Sequence, residues 1–122
     1  MTWETVLNIA AILVFTLVSG WGDAQGFLHS AKVWDQGQFV GREALFSAGG
    51  FILGVGAYWV VIRFLQGFGI TSPEVQTVGW FVVTMVALAL TSGDFFKWPT
   101  LDQAVGILLL VGVGWLMFRN HG

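Results

Sequence analysis

The 122-residue chain contains no cysteine and few charged residues, and both features exclude classes of function. Without cysteine, it can form no disulfide bond and cannot use a thiolate as a nucleophile or metal ligand. Charged residues make up 10% of the chain, whereas soluble domains carry about 25%. The formal net charge is −2 and no run of basic residues exists, so we predict no nucleic-acid partner.

The residues of common enzyme sites are missing too. Two histidines stand 92 positions apart, at His29 and His121, and no cluster has the spacing of metal ligands. The 17 glycines form no loop between a strand and a helix, so they do not indicate phosphate binding. We therefore predict that the chain is not an enzyme and binds no cofactor or metal.

Apolar residues fill most of the chain, at 56% of all positions. They form four stretches, 5–22, 44–65, 75–90 and 104–118, each close to the ~20 residues that a helix needs to cross a bilayer. We predict an all-α fold, a four-transmembrane-helix bundle that forms one integral membrane domain over residues 1–122. Its helices are expected at about 5–33, 43–66, 73–92 and 102–119.

Local signals place the links between these helices. Helix 1 is compatible with continuation to about Trp34, and residues 35–41 are expected to form a turn. In helix 2, Gly50 and Gly54 have the Gly-xxx-Gly spacing of a close-packing face. The third helix has the clearest start, because Ser72 can cap it and Pro73 suits its first position.

The basic residues give no preferred orientation. With four spans, Arg63 and Arg119 lie on one side, and Lys32, Arg42 and Lys97 lie on the other, which is no useful bias. The chain simply has few charges, or it inserts both ways round, as an antiparallel homodimer requires.

The second half of the chain resembles the drug/metabolite transporter superfamily, and within it the small multidrug resistance type. The resemblance rests on a tryptophan in helix 3, Trp80, and on the aromatic pair Phe95-Phe96 after that helix. A short polar link from Lys97 and a glycine-rich apolar helix over residues 106–114 follow. The resemblance implies a small four-helix transporter that works as a homodimer or with a paired partner.

Two further motifs fit the same family. Asp23, Gly26 and Lys32 are similar to its helix 1 motif of a carboxylate, a glycine and a lysine, and Tyr58-Trp59 is similar to an aromatic pair in helix 2. The family's exporters exchange protons for organic cations at a helix 1 glutamate, so the resemblance implies this role for Asp23. The chain differs in its aspartate and in the sequence 82–84 (Val-Val-Thr), where the exporters carry Gly-x-Gly.

Asp23 and His29 are the polar candidates for a substrate or proton site. An acid within a membrane segment usually faces the bundle interior or water, and a desolvated carboxyl holds its proton more tightly. Alternatively, Asp23 lies past the end of helix 1 and is solvated. His29 does not share a helical face with Asp23; with Gln25 and Lys32 it forms a polar stripe that faces a cavity or the membrane interface.

Trp80, Tyr58 and Trp59 are the aromatic candidates. They are predicted to form a box for a flat or cationic ligand, or to serve ordinary helix packing. Three functions follow from these residues: a small transporter for organic cations, a non-transporting subunit of a larger membrane complex, and a scaffold for lipid or a quinone-like ligand. We expect an integral protein of a prokaryotic plasma (inner) membrane that contacts the lipid bilayer and a second copy or another membrane subunit.

Overall fold

Helices make up most of the chain in the computed structural model, which describes residues 2–119. The elements, in order, are helix α1 (Trp3–Ser30), strands β1 (Trp34–Asp35) and β2 (Gln38–Phe39), helix α2 (Gly41–Gly67), helix α3 (Pro73–Ser92), a 3-10 turn (Asp94–Lys97) and helix α4 (Thr100–Arg119). The predicted all-α class is confirmed.

Three of these helices have the dimensions of membrane spans. Over residues 2–119, helices α1, α2 and α3 are long and apolar enough to cross a bilayer, which indicates an integral membrane protein. In α4 the corresponding apolar stretch, Thr100–Leu116, is shorter. That α4 also crosses the membrane therefore remains a prediction from the sequence.

A short hairpin joins α1 to α2, where the sequence predicted a longer helix and an irregular turn. Helix α1 ends at Ser30, three residues before the expected boundary. Gln36 and Gly37 both have positive φ, 50° and 79°, as a two-residue hairpin turn requires. The strands pair Trp34 with Phe39, and their rings lie 5.5 Å apart between centroids. This pairing competes with continuation of the helix.

Helix α3 begins and ends at the residues that the sequence indicated. The Ser72 hydroxyl accepts a hydrogen bond from the Val75 backbone N–H at 3.4 Å, and Pro73 occupies the first turn. At the other end Gly93 adopts the left-handed conformation with φ of 73°, which terminates helices at low steric cost.

Helix α1 lies at the centre of the packing, with α2 on one side and α3 on the other, and α4 packs mainly against α3. The buried residues are small for this reason: close helix approach leaves room for glycine, alanine and serine but not for long side chains. Most large apolar side chains are exposed, as expected where the surrounding medium is lipid. Buried apolar residues are Ala24, Ala57, Val61 and Val75.

Candidate functional site

Asp23 is fully buried in the interface of three helices. Its side chain has no exposed surface, and a Cβ atom added at Gly54 would overlap its carboxyl group. Gly54 is the central residue of α2 (Gly41–Gly67), and α1 continues for seven residues beyond Asp23, about 10 Å. The carboxyl group therefore lies at the mid-depth of α2, and the alternative of a solvated residue past the end of α1 is wrong.

Four glycines allow α1 and α2 to approach this closely. A Cβ atom at Gly22 would lie 2.8 Å from the Gly54 nitrogen, and one at Gly50 would lie 2.6 Å from the Gly26 nitrogen. Both distances are shorter than any real Cβ contact, so only glycine fits. The predicted close-packing role of Gly50 and Gly54 is confirmed, and Gly22 and Gly26 supply the matching face of α1.

Two serines join the same pair of helices through hydrogen bonds. The Ser19 hydroxyl donates to the Gly54 carbonyl oxygen at 2.8 Å, and the Ser47 hydroxyl donates to the Gly26 carbonyl oxygen at 2.7 Å. Both serines are buried. Because the two bonds run in opposite directions between the helices, they fix both spacing and register.

The carboxyl group of Asp23 has few polar partners. The Thr84 hydroxyl donates to Asp23 Oδ2 at 3.3 Å. The Trp80 indole nitrogen lies close enough to interact with the carboxyl group, but the geometry is not that of a hydrogen bond. Asp23 Oδ1 and Trp80 Nε1 are both buried without a hydrogen-bond partner among residues 2–119. In that part of the chain the ion pairs are His29–Glu43 and Lys97–Asp94, so no cation among the described residues pairs with Asp23.

An apolar cavity of about 260 Å³ lies next to this carboxyl group, between α1, α2 and α3. Ser19, Trp80 and Val83, which line it, each lie within one helical turn of Asp23 or Thr84 in the sequence. Asp23 itself does not line the cavity. The lining residues that carry polar side-chain atoms are Thr16, Ser19, Tyr58, Gln76 and Trp80.

The structure brings together two of the three predicted aromatic residues. The Tyr58 and Trp80 rings lie 5.8 Å apart between centroids at 47°, and both line the cavity. Trp59 is 68% exposed and does not line it. Within the chain Trp59 is not brought to the Tyr58–Trp80 pair, because neighbouring residues of a helix point about 100° apart.

His29 belongs to a different cluster, near the ends of α1 and α2. Its Nδ1 lies 2.5 Å from Glu43 Oε2, and its ring packs against Phe46 with centroids 5.2 Å apart. Lys32 lies beyond the end of α1 and is exposed. The predicted polar stripe that includes Lys32 does not form, and His29 is not brought to Asp23.

A larger apolar cavity of about 530 Å³ separates parts of α1, α3 and α4. Its walls are mostly aliphatic and aromatic, and Ser92 and Asp94 supply polar groups at one end. Phe95 packs against Gly106 there, since a Cβ atom at that glycine would lie 3.1 Å from the ring. Phe95, the first member of the aromatic pair after α3, thus packs against the first half of α4.

Sequence reasoning missed Thr84 and Ser19 as residues of the site. The available signal was helical spacing: Ser19 precedes Asp23 by four residues, and Thr84 follows Trp80 by four. Residues at this spacing share a face, so each candidate had a polar neighbour one turn away.

Comparison with models of known families, curated proteins and solved structures finds no match to this chain. The class of protein is defined by the structure: the chain is a small all-α integral membrane protein with a buried carboxyl group at the interface of three helices. The likeness to small multidrug resistance proteins is carried by the sequence motifs alone.

Proposed function

We propose that this chain is a transporter-like membrane protein of the drug/metabolite superfamily type, which exports small organic cations in exchange for protons. The observation that carries the proposal is the Asp23 carboxyl group, fully buried at the mid-depth of α2 without a cationic partner among residues 2–119. Acids inside membrane segments are rare, and they commonly form proton relays or ion pathways.

The energetics of burial favour exchange at this carboxyl group. An ionised carboxylate in the packed interior costs several kcal/mol unless a positive charge compensates it. A proton or an organic cation can supply that charge, but the two cannot occupy the same oxygens together. Binding of one therefore promotes release of the other, which is the basis of antiport.

The neighbouring cavity supports a cationic ligand with an apolar body. Its lining is almost wholly apolar, and the Tyr58–Trp80 pair presents aromatic surface. Aromatic faces attract cations by about 0.5–2 kcal/mol, most strongly away from water. The apolar body would occupy the cavity while its charge lies towards Asp23.

The proposed pathway requires a second copy of the chain or another membrane subunit. The cavity of about 260 Å³ lies among three helices of one chain, too few to enclose a continuous route across a bilayer. A homodimer would supply eight helices around the route. The proposed location is a prokaryotic plasma (inner) membrane.

Proton release from detergent-solubilised protein tests the proposal. Tetraphenylphosphonium and guanidinium are added to weakly buffered protein while pH is recorded. Wild type is expected to release protons in proportion to bound cation, and Asp23→Asn to release none. Asp94→Asn is the matched control, since the Asp94 side chain is 73% exposed; it should release protons as wild type does. Equal release from Asp23→Asn and wild type would contradict the proposal.

The outer face of α2 favours a second candidate, a non-transporting subunit that packs against a larger membrane complex. Gly49 and Gly56 have nothing within 4 Å of an added Cβ among the described residues. They alternate with three exposed residues, Leu45, Ile52 and Trp59. Such spacing presents one helical face with room for another helix. A photo-crosslinking residue at Ile52 distinguishes the candidates: crosslinks to a different subunit of fixed identity, without cation-dependent proton release, would favour this function.

A further inference from the structure

The helices around Asp23 are joined very unequally. Helices α1 and α2 share four close glycine contacts, the two serine hydrogen bonds and the His29–Glu43 pair. Helix α1 meets α3 closely at one glycine, Gly20, which lies against Val83 and Ala87. Across residues 2–119, the hydrogen bond from Thr84 to Asp23 is the only side-chain hydrogen bond between α3 and α1 or α2. Among the three helices around Asp23, α3 therefore has the fewest polar links to the other two.

The Asp23 carboxyl group is closed off from the neighbouring cavity in this arrangement. Asp23 is fully buried and does not line the cavity, whereas Trp80 and Val83, on the same turn of α3 as Thr84, do line it. In this position of α3 the carboxyl group is not exposed to the cavity. Movement of α3 away from α1 would join the carboxyl group to the cavity.

We propose that Thr84 is the positioning residue of the Asp23 carboxyl group, and that ionisation of Asp23 releases α3 from the α1–α2 pair. The proposal rests on the proposed role of Asp23 as a proton site, and it adds the element that moves. In the closed arrangement a neutral carboxyl group needs no counter-charge. Once ionised, the group gains more from water or a cation than from the one hydroxyl, so the open arrangement becomes favourable.

Other titratable groups around the site are separate from this contact. Helix α2 contributes Tyr58, whose ring contacts Trp80, and Glu43, which pairs with His29 of α1. Helix α3 contributes Glu74, which is exposed in the first turn and accepts a hydrogen bond from the Ser72 hydroxyl. Lys32 and Arg42 lie near Glu43. Asp23 is thus the titratable group that α3 directly covers.

Spin-label distances measure the movement without reference to transport. Because the chain has no cysteine, labels attach only at introduced ones. Leu17→Cys with Phe81→Cys reports the α1–α3 distance, and Leu17→Cys with Ile52→Cys reports the α1–α2 distance. All three side chains are more than half exposed. Between about pH 5 and pH 9, the α1–α3 distances should lengthen and the α1–α2 distances should stay constant.

Variants of the contact give the decisive comparison. Asp23→Asn should keep the short α1–α3 distance throughout, because it cannot ionise. Thr84→Val should move the midpoint of opening to lower pH by about one unit, a tenfold change in proton concentration, because it removes a hydrogen bond that is made only in the closed arrangement. Thr84→Ser should restore it. Glu43→Gln is the control and should leave the midpoint unchanged.

Two results would overturn this inference. One is an α1–α3 distance that does not respond to pH, and the other is the same response in Asp23→Asn as in the parent. Cation-dependent proton release with no α1–α3 response would leave the proposed function standing while refuting the moving element. An α1–α3 response to pH without proton release on addition of tetraphenylphosphonium would support the movement of α3 and refute the proposed cation exchange.

Discussion

Replacement of Gly50 by alanine provides a direct test of the α1–α2 interface. The new Cβ atom would lie 2.6 Å from the Gly26 nitrogen and 2.7 Å from the Gly22 carbonyl oxygen. Ordinary van der Waals contact begins at 3.4 Å, so the helices must separate by about 0.8 Å. Backbone atoms of α1 form the obstacle, and no side-chain rotation relieves the overlap.

The separation would also weaken the hydrogen bonds from Ser19 and Ser47, which now measure 2.8 and 2.7 Å. An added 0.8 Å would place them at the limit of hydrogen bonding. Each such bond in a membrane contributes about 0.6 kcal/mol on average and up to ~1.7 kcal/mol. Overpacking adds about 1–3 kcal/mol. We expect Gly50→Ala to lower the free energy of unfolding by about 2–4 kcal/mol.

Gly49→Ala is the matched control, since it makes the same chemical change one residue earlier in α2. An added Cβ there meets nothing within 4 Å among the described residues, and alanine favours a helix over glycine by about 0.5–1 kcal/mol. Unfolding of both variants is followed by circular dichroism during titration of dodecylmaltoside micelles with sodium dodecyl sulfate. Equal stability of the two variants would refute the glycine interface.

Two further predictions concern other contacts of α1. An ideal Cβ atom at Gly20 lies 3.3 Å from the Ala87 Cβ atom, near the Cβ–Cβ separation found in disulfides. The double variant Gly20→Cys with Ala87→Cys should therefore form an intramolecular disulfide under mild oxidation. The disulfide would be visible as a change in gel mobility that a reductant reverses. Gly49→Cys with Ala87→Cys should not form one, and its crosslinking at an equal rate would contradict the packing order. For the partly buried His29–Glu43 pair, a double-mutant cycle with His29→Gln and Glu43→Gln should give a favourable coupling free energy. Additive effects of the two substitutions would show that the contact contributes nothing.

Local sequence features predicted much of the helical architecture. Apolar length indicated membrane helices, and Ser72, Pro73 and Gly93 have backbone preferences that depend only on neighbouring residues. The same reasoning predicted helix 1 to be too long. Residues 34–35 and 38–39 pair as strands around the turn at Gln36 and Gly37, and this pairing is not visible in the hydrophobic periodicity of the sequence.

The candidate site could be predicted only in part. Asp23 and Trp80 are unusual residues for a membrane helix, so the sequence singled them out. The partner of Asp23, Thr84, lies 61 positions away in the chain, and no local pattern links the two. Trp59 was grouped with Tyr58 because the two are adjacent, although adjacent helical residues point in different directions.

The sequence by itself determined the class of protein, because the transfer of apolar side chains to lipid depends on composition and segment length. It also determined that disulfides and thiol chemistry are absent. Only the tertiary structure decided that Asp23 is interior, that Gly22 and Gly26 meet Gly50 and Gly54, and that Trp59 is exposed. These facts depend on which helix faces meet, and that choice is made by steric fit between segments distant in the chain.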